Sequence, residues 1–269
     1  MEMLPSVDIP EVVSTLFAAA KASDEFEYCC ALLRLSTTGV AGTSALREAN
    51  TYADQILGLV GAPIHDDLKI RLYLTLYCHL TESDDIYSVL INMLNIVEGK
   101  RYSCCPLEKQ KYPSDKLQVI RNAAHRLGFL ELVLVADNLL LPVVRNAFFH
   151  SDYCLHKGEF HIIRGEKDAK GRDKGVLIDG AVYKEIPLRW LTPRLNFCVN
   201  FILGVLDTLI GESLSYCEDK IVKGRMADDS SYTDVQLLTK KDIGLIGFRV
   251  PPVGQENGGT PAEVRVRPL

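Results

Sequence analysis

The sequence has no two cysteines separated by two residues, although it contains eight cysteines in 269 residues. Two pairs are adjacent instead, Cys29-Cys30 and Cys104-Cys105. The C-x-x-C spacing is typical of zinc knuckles and redox dithiols, so this pattern supports neither class of site. Reduced thiols are the simplest interpretation, and they predict a cytoplasmic location.

The sequence also lacks an uninterrupted apolar run long enough to span a membrane. Its strongest candidates are residues 129–144, broken by Asp137 and Pro142, and residues 196–211, which include Asp207. Both fall short of the roughly 20 apolar residues that a spanning helix needs. The first residues, MEMLPSVDIPEVV, have neither the basic region nor the long apolar core of a signal peptide. We therefore expect both apolar segments to be core helices.

Basic residues are in the minority, with 30 Lys and Arg against 35 Asp and Glu, a net charge of −5. Such a chain is not suited to wrapping nucleic acid along its whole surface, so contact with RNA or phosphate must come from a local patch. No convincing cluster of metal-binding carboxylates is present either. The sequence therefore predicts no metal and no other cofactor.

Apolar residues recur at helical spacing through the first hundred residues, which predicts helices joined by short loops. The expected helices cover residues 10–35, Ser44 to Gly61, Asp66 onwards and Ser83 to Gly99. The segment GKRYSCCPLEKQKYPS, residues 99–114, then interrupts the pattern with two prolines. We predict a helical N-terminal region over residues 1–105.

Residues 106–217 form the second predicted domain, and it too is mainly helical. Ser114 caps its first helix, and a long apolar helix over 129–150 follows, which Pro142 should kink or split. A last helix covers roughly residues 188–216. The fold class predicted for the whole chain is therefore all-α.

A small β-hairpin is the expected exception to this helical pattern. The apolar period changes after His150, which predicts strands near residues 153–188 with turns at Lys157-Gly158 and Asp179-Gly180. Residues 218–269 are predicted to be a polar tail with a disordered end.

Three polar residues stand out in the apolar stretch LLLPVVRNAFFHSDY, residues 139–153. They are Arg145, Asn146 and His150. Burying such groups without partners would cost several kcal/mol. They must therefore either be satisfied by other groups or line a cleft.

The stretch RNAFFHSDY, with a β-hairpin and a long apolar helix after it, resembles the HEPN family of helical domains. The family signature is Arg, usually a polar residue, three further residues and His, and the resemblance extends over roughly residues 114–216. It implies a HEPN-like helical bundle, metal-independent RNA cleavage and a site shared between two protomers. It equally implies that the chain could be a non-catalytic binding or dimerisation module of that family.

The chemistry of RNA cleavage gives these residues separate roles. Attack of a ribose 2′-OH on its own phosphodiester needs a base and an acid, and histidine suits either role, so His150 is the candidate. The guanidinium of Arg145 could clamp the non-bridging oxygens, and Asn146 could orient the imidazole or hold a phosphate. We expect Asp152 and Tyr153 to support these groups or to form a turn. The products would be a 2′,3′-cyclic phosphate and a 5′-hydroxyl.

One imidazole can hardly serve both sides of an in-line displacement, which is a physical reason to expect a homodimer. RNA is the expected substrate, and a toxin or defence effector could also have a neutralising protein partner. Basic residues from 157 to 174 could guide RNA to the site, although acidic neighbours make a solvated loop a simpler interpretation. They are Lys157, Arg164, Lys167, Lys170, Arg172 and Lys174.

Each candidate also has an ordinary structural interpretation. Arg145 could form an ion pair with Asp137 or Asp152, and His150 could be favoured at the C-terminus of a helix. His156 and His161 could join His150 around a metal, but their spacing matches no common site. The similar stretch RNAAH, residues 121–125, is expected to be an exposed helix face.

Overall fold

The computed structural model describes residues 4–37, 45–163, 175–178, 181–225 and 231–251. Within these ranges the helices are α1 Ile9–Ser23, α2 Glu25–Thr37, α3 Ala45–Val60, α4 Asp66–Thr81, α5 Asp84–Val97, α6 Pro113–Leu127, α7 Leu130–Asn138, α8 Pro142–Phe149 and α9 Leu188–Ser215. The strands are β1 Tyr153–His156, β2 Glu159–Ile162, β3 Val176–Ile178, β4 Ala181–Tyr183, β5 Glu185–Pro187, β6 Lys220–Gly224, β7 Thr233–Lys240 and β8 Gly244–Arg249.

The predicted all-α class is wrong, because about 59% of the structure is helical and 17% is strand. The strands form three small antiparallel sheets, in the orders β1-β2-β5, β3-β4 and β6-β7-β8. The third sheet lies inside the predicted polar tail. Its buried residues Val222, Val235 and Leu237 occur at alternate positions among charged ones. A strand with one solvated face has that composition, which is why the segment resembled a polar tail.

The C-terminal sheet packs on α2 and α9. Phe26 of α2 lies so close to Gly224 that a Cβ there would be 2.5 Å from the ring. The same ring contacts Phe248 edge to face, with centroids 5.1 Å apart. Lys220 forms an ion pair with Glu25 at 2.6 Å. The sheet therefore shares an apolar contact with the helices.

The single helix predicted over residues 10–35 is in fact two helices. Asp24 has extended backbone angles, and its carboxylate accepts a hydrogen bond of 3.0 Å from the backbone N–H of Glu27. An aspartate in this position satisfies an N–H group at the start of a helix, so it begins α2.

The apolar helix predicted over residues 129–150 is also divided. It breaks between Asn138 and Pro142, which is the first residue of α8. In the break, the backbone N–H of Leu141 donates a hydrogen bond of 2.6 Å to the buried hydroxyl of Tyr77. Pro142 thus splits the segment, one of the two outcomes predicted for it.

Among the described residues, two helical segments are long and apolar enough to cross a membrane by length and composition alone, residues 130–149 and α9. The first is the pair α7 and α8, with the break between them. The second is a core helix that packs against α1 and α4 and buries apolar residues at helical spacing. Core helices of soluble proteins pass the same test, so neither segment is strong evidence for a membrane.

The core crosses the boundary predicted near residue 105. Helix α5 packs against α6, and α9 packs against α1 and α4. Leu195, Ile202 and Leu209 of α9 are fully buried. The helices that precede residue 105 therefore help to position those that follow it.

The predicted hairpin is present in β1 and β2, where Tyr153 pairs with Ile162 and His156 with Glu159. Lys157 and Gly158 both have positive φ, 49° and 78°, as a two-residue turn between twisted strands requires. The other predicted turn, Asp179-Gly180, lies outside the described residues, although Ile178 and Ala181 on either side of it are paired.

Candidate functional site

The short helix α8 positions the three residues of the predicted site. Pro142 starts it, and His150 ends it, with the backbone N–H of His150 donating to the carbonyl of Asn146 at 3.0 Å. Arg145 and Asn146 are half-buried, whereas His150 is exposed. Phe149, which precedes the histidine, is also exposed.

Arg145 forms an ion pair with Glu82, the residue that follows α4. The Arg145 side chain is 18% exposed and that of Glu82 is 40% exposed. The guanidinium carbon also lies 5.7 Å from the ring centroid of Phe149. The Nε atom of Arg145 is buried and has no hydrogen-bond partner in the described part of the chain. The Glu82 carboxylate and the Phe149 ring therefore hold the guanidinium in place.

The two ion-pair partners considered for Arg145 from the sequence were Asp137 and Asp152. Asp137 instead pairs with Arg121 of α6 at 2.6 Å. Glu82 was missed because it is far from Arg145 in the sequence.

His150 makes no side-chain hydrogen bond or ion pair with any residue that the structure describes. The chain turns immediately after it, since Ser151 has a positive φ of 54°. The backbone N–H of Asp152 donates to the carbonyl of Ala147 at 2.8 Å, which closes the turn. The imidazole is thus at the surface and free to meet a ligand.

Tyr153 supports the start of β1. Its ring stacks on buried Phe160, with centroids 4.9 Å apart, and contacts Phe148 at 5.5 Å. Its hydroxyl accepts a hydrogen bond of 2.8 Å from Arg71 of α4. Tyr153 therefore fixes the strand that follows His150.

One side of α4 faces α8 and β1. Arg71 and Glu82 are eleven residues apart, which is three helical turns, so they share a face about 16 Å long. Cys78 lies between them and is buried. Burial raises the pKa of its thiol to about 12, although the nearby Arg145 guanidinium lowers it in part. The shared face of Arg71 and Glu82 does not indicate their partners on β1 and α8, so the sequence held no signal for these two contacts.

Of the weaker candidates, those that the structure describes lie away from α8. Lys157 is exposed in the turn at the far end of the hairpin. Arg164 and the basic residues predicted after it, up to Lys174, lie outside the described residues. Arg121 and His125 are both exposed on α6, as their spacing predicts. As the side chains stand, no three metal-ligating groups in the described ranges converge on one point.

No family model matches the chain, and no curated protein or solved structure matches it. The similarity to the HEPN family is therefore a similarity of the motif around Arg145 and His150, together with its setting.

Proposed function

We propose that the chain is a HEPN-type endoribonuclease in which His150 transfers a proton. The observation that supports this most is the contrast between two residues of one short helix. His150 has an exposed imidazole with no partner among the described residues, while Arg145 is held by Glu82. A proton-transfer group must reach its substrate, and a cation that stabilises a transition state must be held in advance.

The ion pair with Glu82 leaves Arg145 able to contact a phosphate. A guanidinium has five N–H donors in a planar fork, and the pair with Glu82 occupies only part of them. The terminal N–H donors that Glu82 does not occupy would bind the non-bridging oxygens as negative charge builds there. Asn146, on the preceding turn from His150, would orient the imidazole or hold a neighbouring phosphate.

A second copy of the chain would complete the reaction. His150 of one copy would take the proton of the 2′-hydroxyl, and that of the other would protonate the leaving 5′-oxygen. The exposed ring of Phe149, beside His150, gives a homodimer an apolar contact at this position. Such an enzyme would need no metal at His150. It would act in the cytoplasm, as a toxin or a defence effector.

Incubation of the purified full-length chain with total RNA in EDTA tests the proposal. We expect cleavage products that end in a 2′,3′-cyclic phosphate and begin with a 5′-hydroxyl. A chain that leaves RNA intact, or that produces 3′-hydroxyl ends, would contradict the proposal.

A second candidate is a catalytically silent HEPN-type module that binds RNA, a nucleotide or a protein. One observation favours it, because Glu82 neutralises the charge of Arg145 and so weakens its attraction for phosphate. Such a module would bind without turnover, and His150→Ala would leave its affinity unchanged.

A further inference from the structure

Two contacts along one face of α4 connect Arg71 to the site on α8. Arg145 of α8 contacts Glu82 at the end of α4, whereas Tyr153 of β1 contacts Arg71 near its beginning. His150 lies in the chain between Arg145 and Tyr153, and its Cα atom is at most about 11 Å from that of Tyr153, three residues later. The chain therefore runs back along α4 from Glu82 to Arg71, with His150 between the two contacts.

Tyr153 holds the side chain of Arg71 in a fixed position. Nη1 of Arg71 donates a hydrogen bond of 2.8 Å to the tyrosine hydroxyl, and the guanidinium carbon lies 5.4 Å from the centre of the ring. The ring is fixed in turn, because it stacks on Phe160 and contacts Phe148 of α8. The Arg71 guanidinium is therefore oriented in advance, beside the strand that follows His150.

Arg71 differs from Arg145 in its charge, because no carboxylate neutralises it. Within the described ranges no acidic side chain lies in ion-pair distance of Arg71, not even Asp67, four residues earlier on α4. Arg71 is exposed, and its side-chain hydrogen bond to Tyr153 uses one of its five N–H donors. In a chain with a net charge of −5, contact with phosphate must come from such local cations.

We propose that Arg71 binds an RNA phosphate next to the one that is cleaved, an inference that rests on the function proposed above. A planar guanidinium can bind two oxygens of one phosphate, and the Tyr153 hydroxyl already fixes its orientation. The RNA strand would follow α4 from Arg145 past His150 to Arg71. Because Arg71 contacts a phosphate that does not react, it binds the substrate and the transition state equally well. The preferred substrate is therefore a strand with at least one phosphate besides the scissile one.

Cleavage of two substrates by the full-length chain tests this role: a short RNA oligonucleotide, and a dinucleoside monophosphate, which has the scissile phosphate alone. With the oligonucleotide, Arg71→Gln should raise KM about 10-fold and leave kcat nearly unchanged, because it removes an interaction made equally in both states. With the dinucleoside monophosphate, the same variant should change neither constant. Arg71→Lys keeps the charge but not the planar fork, so it should recover part of the loss.

Fluorescence anisotropy with the same oligonucleotide measures binding without cleavage when both chains carry His150→Ala. Adding Arg71→Gln should lower RNA affinity about 10-fold. It should also reduce the slope of log affinity against log salt concentration by about 0.7, the value for one phosphate contact to a single strand. Lys240→Gln is the matched control for the loss of one positive charge, since Lys240 is exposed at the end of β7 in the C-terminal sheet. It should change neither quantity.

The two measurements separate a failure of this inference from a failure of the proposed function. If Arg71→Gln cleaves the oligonucleotide with an unchanged KM, the role of Arg71 is overturned and the proposed function stands. If the unmodified chain does not cleave RNA, the proposed function fails, and anisotropy alone decides whether Arg71 binds a phosphate. Equal losses of affinity in Arg71→Gln and Lys240→Gln would also overturn the inference, because they would show a general attraction between charges.

Discussion

Glu82, at the end of α4, forms a partly buried ion pair with Arg145 of α8. The pair connects the helical region before residue 105 to the helix that carries the proposed site. It also lowers the net positive charge at Arg145, because a carboxylate lies beside the guanidinium.

Glu82→Gln should lower the free energy of unfolding by about 1–2 kcal/mol, because it leaves the largely covered Arg145 cation without a charged partner. Urea denaturation measures the change. Arg121→Gln is the matched control, since its pair with Asp137 is more than 40% exposed on both sides and should contribute less than about 1 kcal/mol. Equal losses in the two variants would mean that the Arg145–Glu82 pair stabilises the fold no more than an exposed ion pair does.

The same Glu82→Gln variant should bind a short RNA more tightly than the unmodified chain. Removing the carboxylate leaves the charge of Arg145 uncompensated, and each added phosphate contact makes binding more dependent on salt. Fluorescence anisotropy at several salt concentrations measures both effects. If affinity and salt dependence are unchanged, Arg145 does not contact the RNA backbone.

The Lys157-Gly158 turn and most helices could be predicted from local patterns. The ends of α6 and α9 follow from apolar spacing, and the Lys157-Gly158 turn follows from its glycine. The division of the first helix was missed, although Asp24 was the signal for it. Capping residues and glycines determine where helices and strands begin and end. An overlooked capping residue therefore gives a wrong boundary.

The partners of the site residues could not be predicted in this way. The Arg145–Glu82 and Tyr153–Arg71 contacts join α4 to elements much later in the chain. Such pairs depend on how the helices pack, which a single sequence does not reveal. The third sheet was missed for another reason, since the polar residues on its solvated face give the segment the composition of a polar tail.

Phe149→Ser should convert a dimer to a monomer and reduce RNA cleavage, because it removes an exposed aromatic ring next to His150. Light scattering at micromolar concentration gives the oligomeric state. Leu59→Ser is the matched control, since Leu59 is comparably exposed but lies on α3. A strict monomer in the unmodified chain would exclude the shared site, although not the fold.

Thiol labelling should distinguish buried from exposed cysteines. Burial raises the pKa of Cys29 and of Cys78 to about 12, so these thiols stay protonated and unreactive at pH 8. Four cysteines are exposed and should react quickly: Cys104, Cys105, Cys154 and Cys217. Mass spectrometry after brief alkylation identifies the labelled residues. Rapid labelling of Cys78 in the native protein would show that α4 is not packed as described.

The raised pKa values also predict how stability depends on pH. Below about pH 9 both thiols are protonated in the folded and in the unfolded state. Their burial then contributes fully to the free energy of unfolding. As pH rises from about 9 toward 12, only the unfolded chain loses these protons, and stability falls. Urea denaturation at pH 8 and pH 10 measures the loss. We expect about 1 kcal/mol per thiol at pH 10, and a flat profile would contradict this burial.

The most direct test of the proposed function compares His150→Ala with Arg145→Ala in three measurements: RNA cleavage, RNA affinity and thermal stability. His125→Ala, on the exposed face of α6, is the control for loss of a histidine. We predict that His150→Ala lowers cleavage by about 10²–10⁴-fold with affinity and melting temperature nearly unchanged. Arg145→Ala should lower cleavage and affinity together. Wild-type cleavage by purified His150→Ala protein would contradict the account.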